Sequence, residues 1–386
     1  LRQIRMPQLL LVSVLLGMFR WTNYWDFIIY FVVTGGVVLF GNIVRFQGKI
    51  KTVLAVTAVQ AAEIFGIAWL VILPFTLSFR TMVEGVAFAK HHSLPHQLLV
   101  LWGLPVLLIL CFLICWLLEK LRHDRCGNLY ELFSGTAVPD LFAVITGLCG
   151  MGLVLIPELV YVRDIYENGN ARANTMFKLT YQAYILFGIT MGYVIFRILT
   201  VSGQRLAKMI AAVGLFFLVW TIGYLGNCMD SWFGNILQTD ARQGLDATRF
   251  LERDFYEDAG AIHWLKEHVE GMPVTLEANG DSYTGYERVS SSTGLPTILG
   301  WYVHEWLWRS DTMDLNDKSL DVEMIYTSDD EEEVKKLLDR YGVVYVFIGS
   351  KEREKYGEEL NTELLKSLGT IVYQDEAYET CIVRME

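Results

Sequence analysis

About seven apolar stretches, each near the roughly 20 residues a helix needs to cross the hydrocarbon core of a bilayer, crowd the first 227 positions of this chain. They lie near 6–22, 24–44, 52–77, 97–118, 138–161, 175–199 and 206–227, and only Trp21, Thr22 and Asn23 separate the short first two. In lipid every backbone N–H and C=O must be paired internally, so stretches of this length read as spanning helices. Composition agrees: 53% of the residues are hydrophobic and the mean hydropathy is +0.33, more apolar than ordinary soluble domains.

Charge divides the chain at residue 228. Before it stand 17 Lys and Arg against 10 Asp and Glu; from it onward stand 15 against 33. We therefore read 1–227 as a transmembrane helical domain, 228–257 as a connecting segment and 258–386 as a small soluble α/β domain. The soluble part is too acidic to neutralise phosphates, and no basic stripe with interleaved aromatics occurs, which excludes nucleic acid as a partner. The expected partner is the bilayer of the cell membrane. Arg2 and Arg5, then Arg45, Lys49 and Lys51, then Lys120, Arg122 and Arg125, then Arg197, Arg205 and Lys208 fall at alternate span ends. The positive-inside rule makes those ends cytoplasmic. The turn at 21–23, the loops at 79–96 and 162–174, and everything after 228 are then extracytoplasmic.

In the soluble part the pattern predicts a helix over 259–269 and a strand over 273–278. A helix opened by a capping box from Ser328 to Glu331 should stop at Gly342. A buried strand over 343–349, a helix over 352–368 and a closing hairpin of 370–375 with 379–385 follow. The acidic run Asp329 to Glu333 is the solvated start of a helix, where carboxylates favour the N-terminal dipole. Cys111, Cys115 and Cys149 lie in apolar runs and Cys126 in a basic loop, without metal spacing. Cys228 and Cys381 are either a disulfide or, as we prefer, two unpaired thiols. The chain opens on Leu1 with no charged, cleavable leader, so the natural N-terminus is expected upstream.

The segment from Glu158 to Gln182 crowds charge between two spans. Asn174, Lys178, Tyr181 and Gln182 follow the spacing i, i+4, i+7, i+8 and so share one face of the next helix. A lysine there is costly unless it is paired or faces a wet cavity, which points to a functional site. The plainer alternative is that Lys178 snorkels and pairs with Glu158 or Asp164. A second cluster, FRWTNYWDF, carries Arg20, Asn23 and Asp26; Trp21 and Trp25 are belt aromatics, whereas Asp26 inside the start of a span is harder to explain structurally. Glu63, with Gln60 before it, is as readily structural as a relay.

His91, His92 and His96 raise a zinc reading, but only His92 and His96 have helical spacing, and no metal is assigned. HEWLWR, from His304, lacks the second histidine of HExxH. The segment from Tyr286 to Arg309 is rich in Gly, Trp, Arg and His. Aromatic faces with Arg and carboxylates, here Trp301, His304, Glu305 and Arg309, suit a sugar or a phosphate. The alternative is a tryptophan belt resting on the membrane. No phosphate-binding glycine loop, GxSxG or Ser/His/Asp order is present.

Three segments, GMFRWTNYWDFIIY from Gly17, RDIYENGNARANTMFKLTYQAY from Arg163 and LEANGDSYTGYERVSSSTGLPTILGWYVHEWLWR from Leu276, resemble the YYY membrane protein family of archaea and bacteria, with support from RYGVVYVFIG at Arg340. In that family an Arg-Met pair usually precedes NTxFK; here Arg172 and Ala173 precede Asn174. The family looks like a branch of the GT-C membrane glycosyltransferases. The resemblance implies a polyprenyl-phosphate-linked sugar as donor, a glycan or protein as acceptor, and transfer on the outer face. It also implies further upstream spans and an acidic outer loop, so the chain resembles the C-terminal half of a longer protein.

On this reading Asp26, Glu158 and Asp164 are the candidate catalytic carboxylates. Asn23, Arg172, Asn174, Lys178, Gln182, Trp301, His304, Glu305 and Arg309 are the candidate substrate-binding residues. A carboxylate would activate the acceptor, and cations would stabilise the departing phosphate. A divalent cation remains an open cofactor. The rival is a non-enzymatic membrane protein, either a lipid-glycan transporter or an envelope assembly factor; a transporter should carry an internal repeat, and the sequence has none.

Overall fold

A computed structural model describes residues 7–79, 85–123, 129–165, 169–234, 246–309 and 313–385. The chain divides into two compact units, residues 1–78 with 83–237 and residues 79–82 with 238–386.

The first unit contains α1 (Pro7–Thr22), α2 (Tyr24–Arg45), α3 (Ile50–Ser78), β1 (Val86–Phe88), α4 (Pro95–His123), α5 (Leu129–Phe133), α6 (Val138–Leu159), β2 (Val160–Val162), α7 (Ala173–Val201), α8 (Arg205–Trp220) and α9 (Ile222–Phe233). Among the described residues six stretches are long and apolar enough to cross a membrane: α2, α3, α4, α6, α7, and α8 with α9 taken together. The remaining predicted span, α1, is a helix of 16 residues, shorter than the roughly 20 that crossing requires. Leu70, Val100, Tyr184, Trp220 and many other large apolar side chains point outward, a pattern that water would penalise and lipid accepts.

Packing inside the unit relies on close approach and on paired polar groups. A Cβ on Gly17 would stand 2.7 Å from Val71 Cβ, so glycine lets α1 lie directly against α3. Asn42 of α2 donates to Gln60 Oε1 at 2.8 Å and to Thr57 Oγ1 at 3.0 Å of α3. The Thr146 and Thr190 hydroxyls meet at 2.7 Å between α6 and α7. Each bond satisfies a group that lipid could not.

Because the long helices alternate in direction, one end of the unit collects the starts of α2, α4 and α7 with the ends of α3 and α6. There β1 and β2 form an antiparallel ribbon, Ala87 opposite Tyr161.

The second unit contains α10 (Phe250–Asp254), α11 (Tyr256–His268), β3 (Val274–Leu276), α12 (Arg288–Thr293), α13 (Tyr302–Arg309), α14 (Met313–Thr327), α15 (Glu331–Tyr341), β4 (Val343–Ile348), α16 (Ser350–Tyr356), α17 (Thr362–Ser367), β5 (Gly369–Gln374) and β6 (Cys381–Met385). The sheet order is β3-β4-β6-β5, with β3 parallel to β4 and the other pairs antiparallel. Strand residues alternate between two cores. Val346, Ile348, Cys381 and Val383 pack with α14 and α15, while Phe347 and Ile382 pack with α10 and α11.

Two predicted boundaries move. The cap of α15 is Asp330, whose Oδ1 accepts from Glu332 N at 3.0 Å and Glu333 N at 3.2 Å; Ser328 instead accepts from Asp330 N. The predicted helix over 352–368 breaks at Gly357, whose φ of +52° no helix interior permits. Cys228 and Cys381 are free thiols; Cys126 lies outside the described residues.

Candidate functional site

The predicted stripe on α7 meets α2. Asp26 stands in the first turn of α2, and its Oδ1 accepts from Gln182 Nε2 at 2.7 Å. Tyr30, one turn further along α2, donates to Gln182 Oε1 at 3.0 Å. Gln182 therefore spends donor and acceptor on one helix face and is buried. Asn23 caps α2, its side chain accepting from Trp25 N at 3.4 Å, and it also approaches the Asp26 carboxylate. Lys178, one turn above Gln182, is half-buried and its charge acts on Asp26. Among the described residues Lys178 forms no ion pair; its Nζ lies 5.6 Å over the Phe177 ring. Asn174 is half-buried in the first turn of α7, whereas Tyr181 turns outward beside Phe177.

Glu158 is engaged differently. Its Oε1 pairs with Arg172 Nη1 at 2.8 Å and accepts from Ser93 Oγ at 2.7 Å, while Oε2 accepts from Ser93 N at 2.7 Å. Arg172 also reaches Ser93 Oγ at 3.1 Å and the Pro157 carbonyl at 3.3 Å. His92 Nδ1 lies 2.8 Å from the Glu158 carbonyl. This clasp ties the loop before α4 to the junction of α6 and α7. Thr175 Oγ1 completes it by accepting from Val162 N at 2.9 Å. Asp164 follows β2 and is half-buried.

Between α2, α6, α7 and the ribbon lies an apolar cavity of about 440 Å³, lined by Trp25, Ile28, Ile29 and Val32 of α2, Leu148, Cys149, Gly152, Leu153 and Ile156 of α6, Val160 to Val162, and Thr175 and Leu179 of α7. Its α2 and α7 walls are the helix faces adjoining Asp26, Lys178 and Gln182. An amphiphile fits such a place, with its tail in the cavity and its head against the polar pair.

At the opposite end of the unit lies a network that span patterning missed. Arg197 Nε donates to Asp140 Oδ1 at 3.0 Å, Arg197 Nη2 reaches Glu119 Oε2 at 3.4 Å, and Tyr193 donates to Asp140 Oδ1 at 2.7 Å. The space beside it is about 10 Å³. The signal in the sequence is Asp140 inside the start of a span; Arg197, at a span end, marks orientation by its charge alone.

The second unit gathers Trp301, His304 and Tyr283, with ring centroids 5.1 to 5.6 Å apart. His304 Nδ1 lies 2.6 Å from Ser282 Oγ, and Glu305 follows Trp301 by one turn of α13. Arg309 ends α13, and its side chain lies outside the described residues. Sequence reasoning missed Tyr283 and the buried charges behind it. Arg288 donates to Asp258 Oδ2 at 2.6 Å and to Glu352 Oε2 at 2.9 Å, and all three are buried. Burial alone would raise Asp258; Arg288 and the Ser350 bonds outweigh it and hold the carboxyl below its usual range. Glu287 lacks such partners: burial, then Glu277 and Glu305, push its carboxyl up to about 9. Among the described residues no group of three or more His, Cys, Asp or Glu side chains could hold a metal ion.

Two overlapping segments, residues 2–138 and 129–187, match the model of a family described as Uncharacterized membrane protein (DUF2298). No curated protein matches the chain. Over residues 2–187 the chain is thus similar to a family of uncharacterized membrane proteins, and its six apolar helices of spanning length make it a multi-pass membrane protein.

Proposed function

We propose that the chain is part of a GT-C-type membrane glycosyltransferase that holds a polyprenyl-phosphate-linked sugar with its isoprenoid in the α2–α6–α7 cavity and its phosphate near Lys178. The observation that carries this reading is an apolar cavity of about 440 Å³ walled on α7 by Thr175 and Leu179, with Lys178 next to Leu179 in the chain and without an ion-pair partner among the described residues. Lipid alone would fill the cavity, but a half-buried ammonium on the same helix calls for an anion. Asp26 is the carboxylate best placed to act as base, taking the proton of an acceptor hydroxyl as that oxygen attacks the anomeric carbon. The bond from that carbon to the phosphate oxygen breaks, and Lys178 meets the charge on the departing lipid phosphate. Arg172 and Glu158 serve as the clasp that fixes the ribbon, and Asn174 borders the phosphate position. In this reading the site and the second unit, which receives a glycan or protein acceptor, face outside the cytoplasm, as the basic residues at the other helix ends imply.

A polyprenyl phosphate carrying a photoreactive group in its isoprenoid tests the reading. Crosslinks concentrated on Ile28, Leu148 and Leu179, and displaced by unlabelled polyprenyl phosphate but not by phosphatidylcholine, are the expected result. Crosslinks spread evenly over all lipid-facing helices would overturn it.

A further inference from the structure

The exposed aromatic patch of the second unit is not explained by packing. Tyr283 is 85% exposed, yet its φ is +61°, in the left-handed region that disfavours any residue with a Cβ. A tyrosine held there gains little from burial that would offset the conformation. Its ring instead stands 5.6 Å from Trp301 and 5.1 Å from His304. The Trp301 indole N–H is already spent on the Tyr286 carbonyl at 2.8 Å, which leaves the ring face as its free surface.

The same loop holds a second backbone outlier, Glu287, at φ +65°. This residue is 6% exposed, and among the described residues neither of its carboxylate oxygens has a hydrogen-bond partner. A buried acceptor without a donor is costly. The Glu287 oxygens are closed off from solvent, and Glu277, Glu305 and Glu352 lie around them, a neighbourhood that admits a neutral ligand and repels a phosphate or a uronate. The nearby cations are engaged elsewhere, Lys355 with the Asn279 carbonyl at 2.7 Å and Lys351 with Glu354.

We infer that Tyr283, Trp301 and His304 bind a neutral sugar residue of a glycan, its C–H face on the rings and its hydroxyls directed to Ser282 and His304. Aromatic faces suit this chemistry because they are apolar and rigid while their flanks are polar. The inference rests on reading the second unit as the acceptor side. It does not require the lipid-phosphate site, and it holds for a non-enzymatic glycan binder as well.

The test uses the full chain in lipid nanodiscs, free of sugar-headed detergent, with cellobiose and maltose as probes and glucuronate as the anionic control. Saturation-transfer NMR should report contact with at least one neutral disaccharide and not with glucuronate. Tyr283→Gly should weaken that contact about twofold to tenfold while leaving the melting temperature unchanged or higher, because glycine adopts φ +61° freely. Lys178→Ala should leave sugar contact intact, which separates failure here from failure of the lipid site. The inference is overturned if neither disaccharide makes contact, if glucuronate is preferred, or if Tyr283→Gly changes nothing. Broadening of the Tyr283 ring signal by spin-labelled lipid headgroups would also overturn it, since the patch would then be a membrane contact.

Discussion

At one end of the membrane unit Arg197 is bracketed by Asp140, Glu119 and Tyr193, and the space beside Arg197 and Glu119 is only about 10 Å³. At the other, Asp26 and Gln182 pair between α2 and α7, the two helices that also wall a cavity of about 440 Å³, and Lys178 has no ion-pair partner among the described residues. Both ends place charge inside helices that should avoid it; at the second, Glu158 and Arg172 also close upon each other, but among the described residues Lys178 does not close upon a counter-ion. A closed network holds helices together; an unclosed one leaves interaction energy for something else. The second unit shows a related contrast: Arg288 pairs with Asp258 and Glu352 through Nε and Nη2, while neither Glu287 oxygen has a hydrogen-bond partner among the described residues.

If that contrast is sound, Arg197→Ala has the largest effect on stability. It leaves Asp140, which is 3% exposed, without its cation, and breaking such a pair costs about 3 to 5 kcal/mol. Thermal melting in detergent reads it; a loss no larger than that of Lys178→Ala would erase the distinction between the two ends.

Glu287 gives the next effect through pH. Its folded carboxyl is pushed up to about 9, against roughly 4.3 when unfolded, so the folded state binds the proton more tightly. The resulting stability is fully present below the unfolded value and is lost as pH rises toward about 9, at up to about 1.4 kcal/mol per pH unit. Native-state hydrogen exchange of residues 246–309 should show protection falling across that window in wild type and a flatter profile in Glu287→Gln. Parallel profiles would show that Glu287 is not the unsatisfied group.

Glu158→Gln sharpens the comparison at smaller scale. It removes the ion pair to Arg172 but leaves oxygen and amide groups near Ser93, so it should cost about 1 to 3 kcal/mol. The loss should appear as faster exchange at Val86–Phe88 and Val160–Val162. Unchanged exchange there would mean that the clasp does not hold the ribbon.

Much of this architecture was legible because lipid and water impose different patterns. The spans follow from apolar length, the acidic second unit from charge, and Gln182 and Lys178 from helical spacing on α7. Pairing across helices was not legible. Gln182 meets Asp26 from 156 residues away, and nothing in local periodicity says which of several membrane carboxylates it will find. Glu158 and Arg172 shared a segment, yet their mutual pairing depended on Ser93 from another loop. The apolar run at 6–22 matches α1 (Pro7–Thr22) closely, but at 16 residues the helix is shorter than the roughly 20 that crossing requires. Tyr283 escaped notice because a left-handed tyrosine has no sequence signature of the kind that glycine provides.

The most direct measurement is thermal melting of the purified chain with and without a short-chain polyprenyl phosphate, in wild type and in Lys178→Ala. Without ligand the two should melt within about 1 kcal/mol of each other, because a cation without an ion-pair partner contributes little to helix packing. With ligand, wild type should be stabilised and Lys178→Ala much less, corresponding to an affinity about tenfold to a hundredfold weaker for loss of a charge-assisted contact. Equal stabilisation of both proteins would contradict the account and make the α7 stripe a packing feature alone.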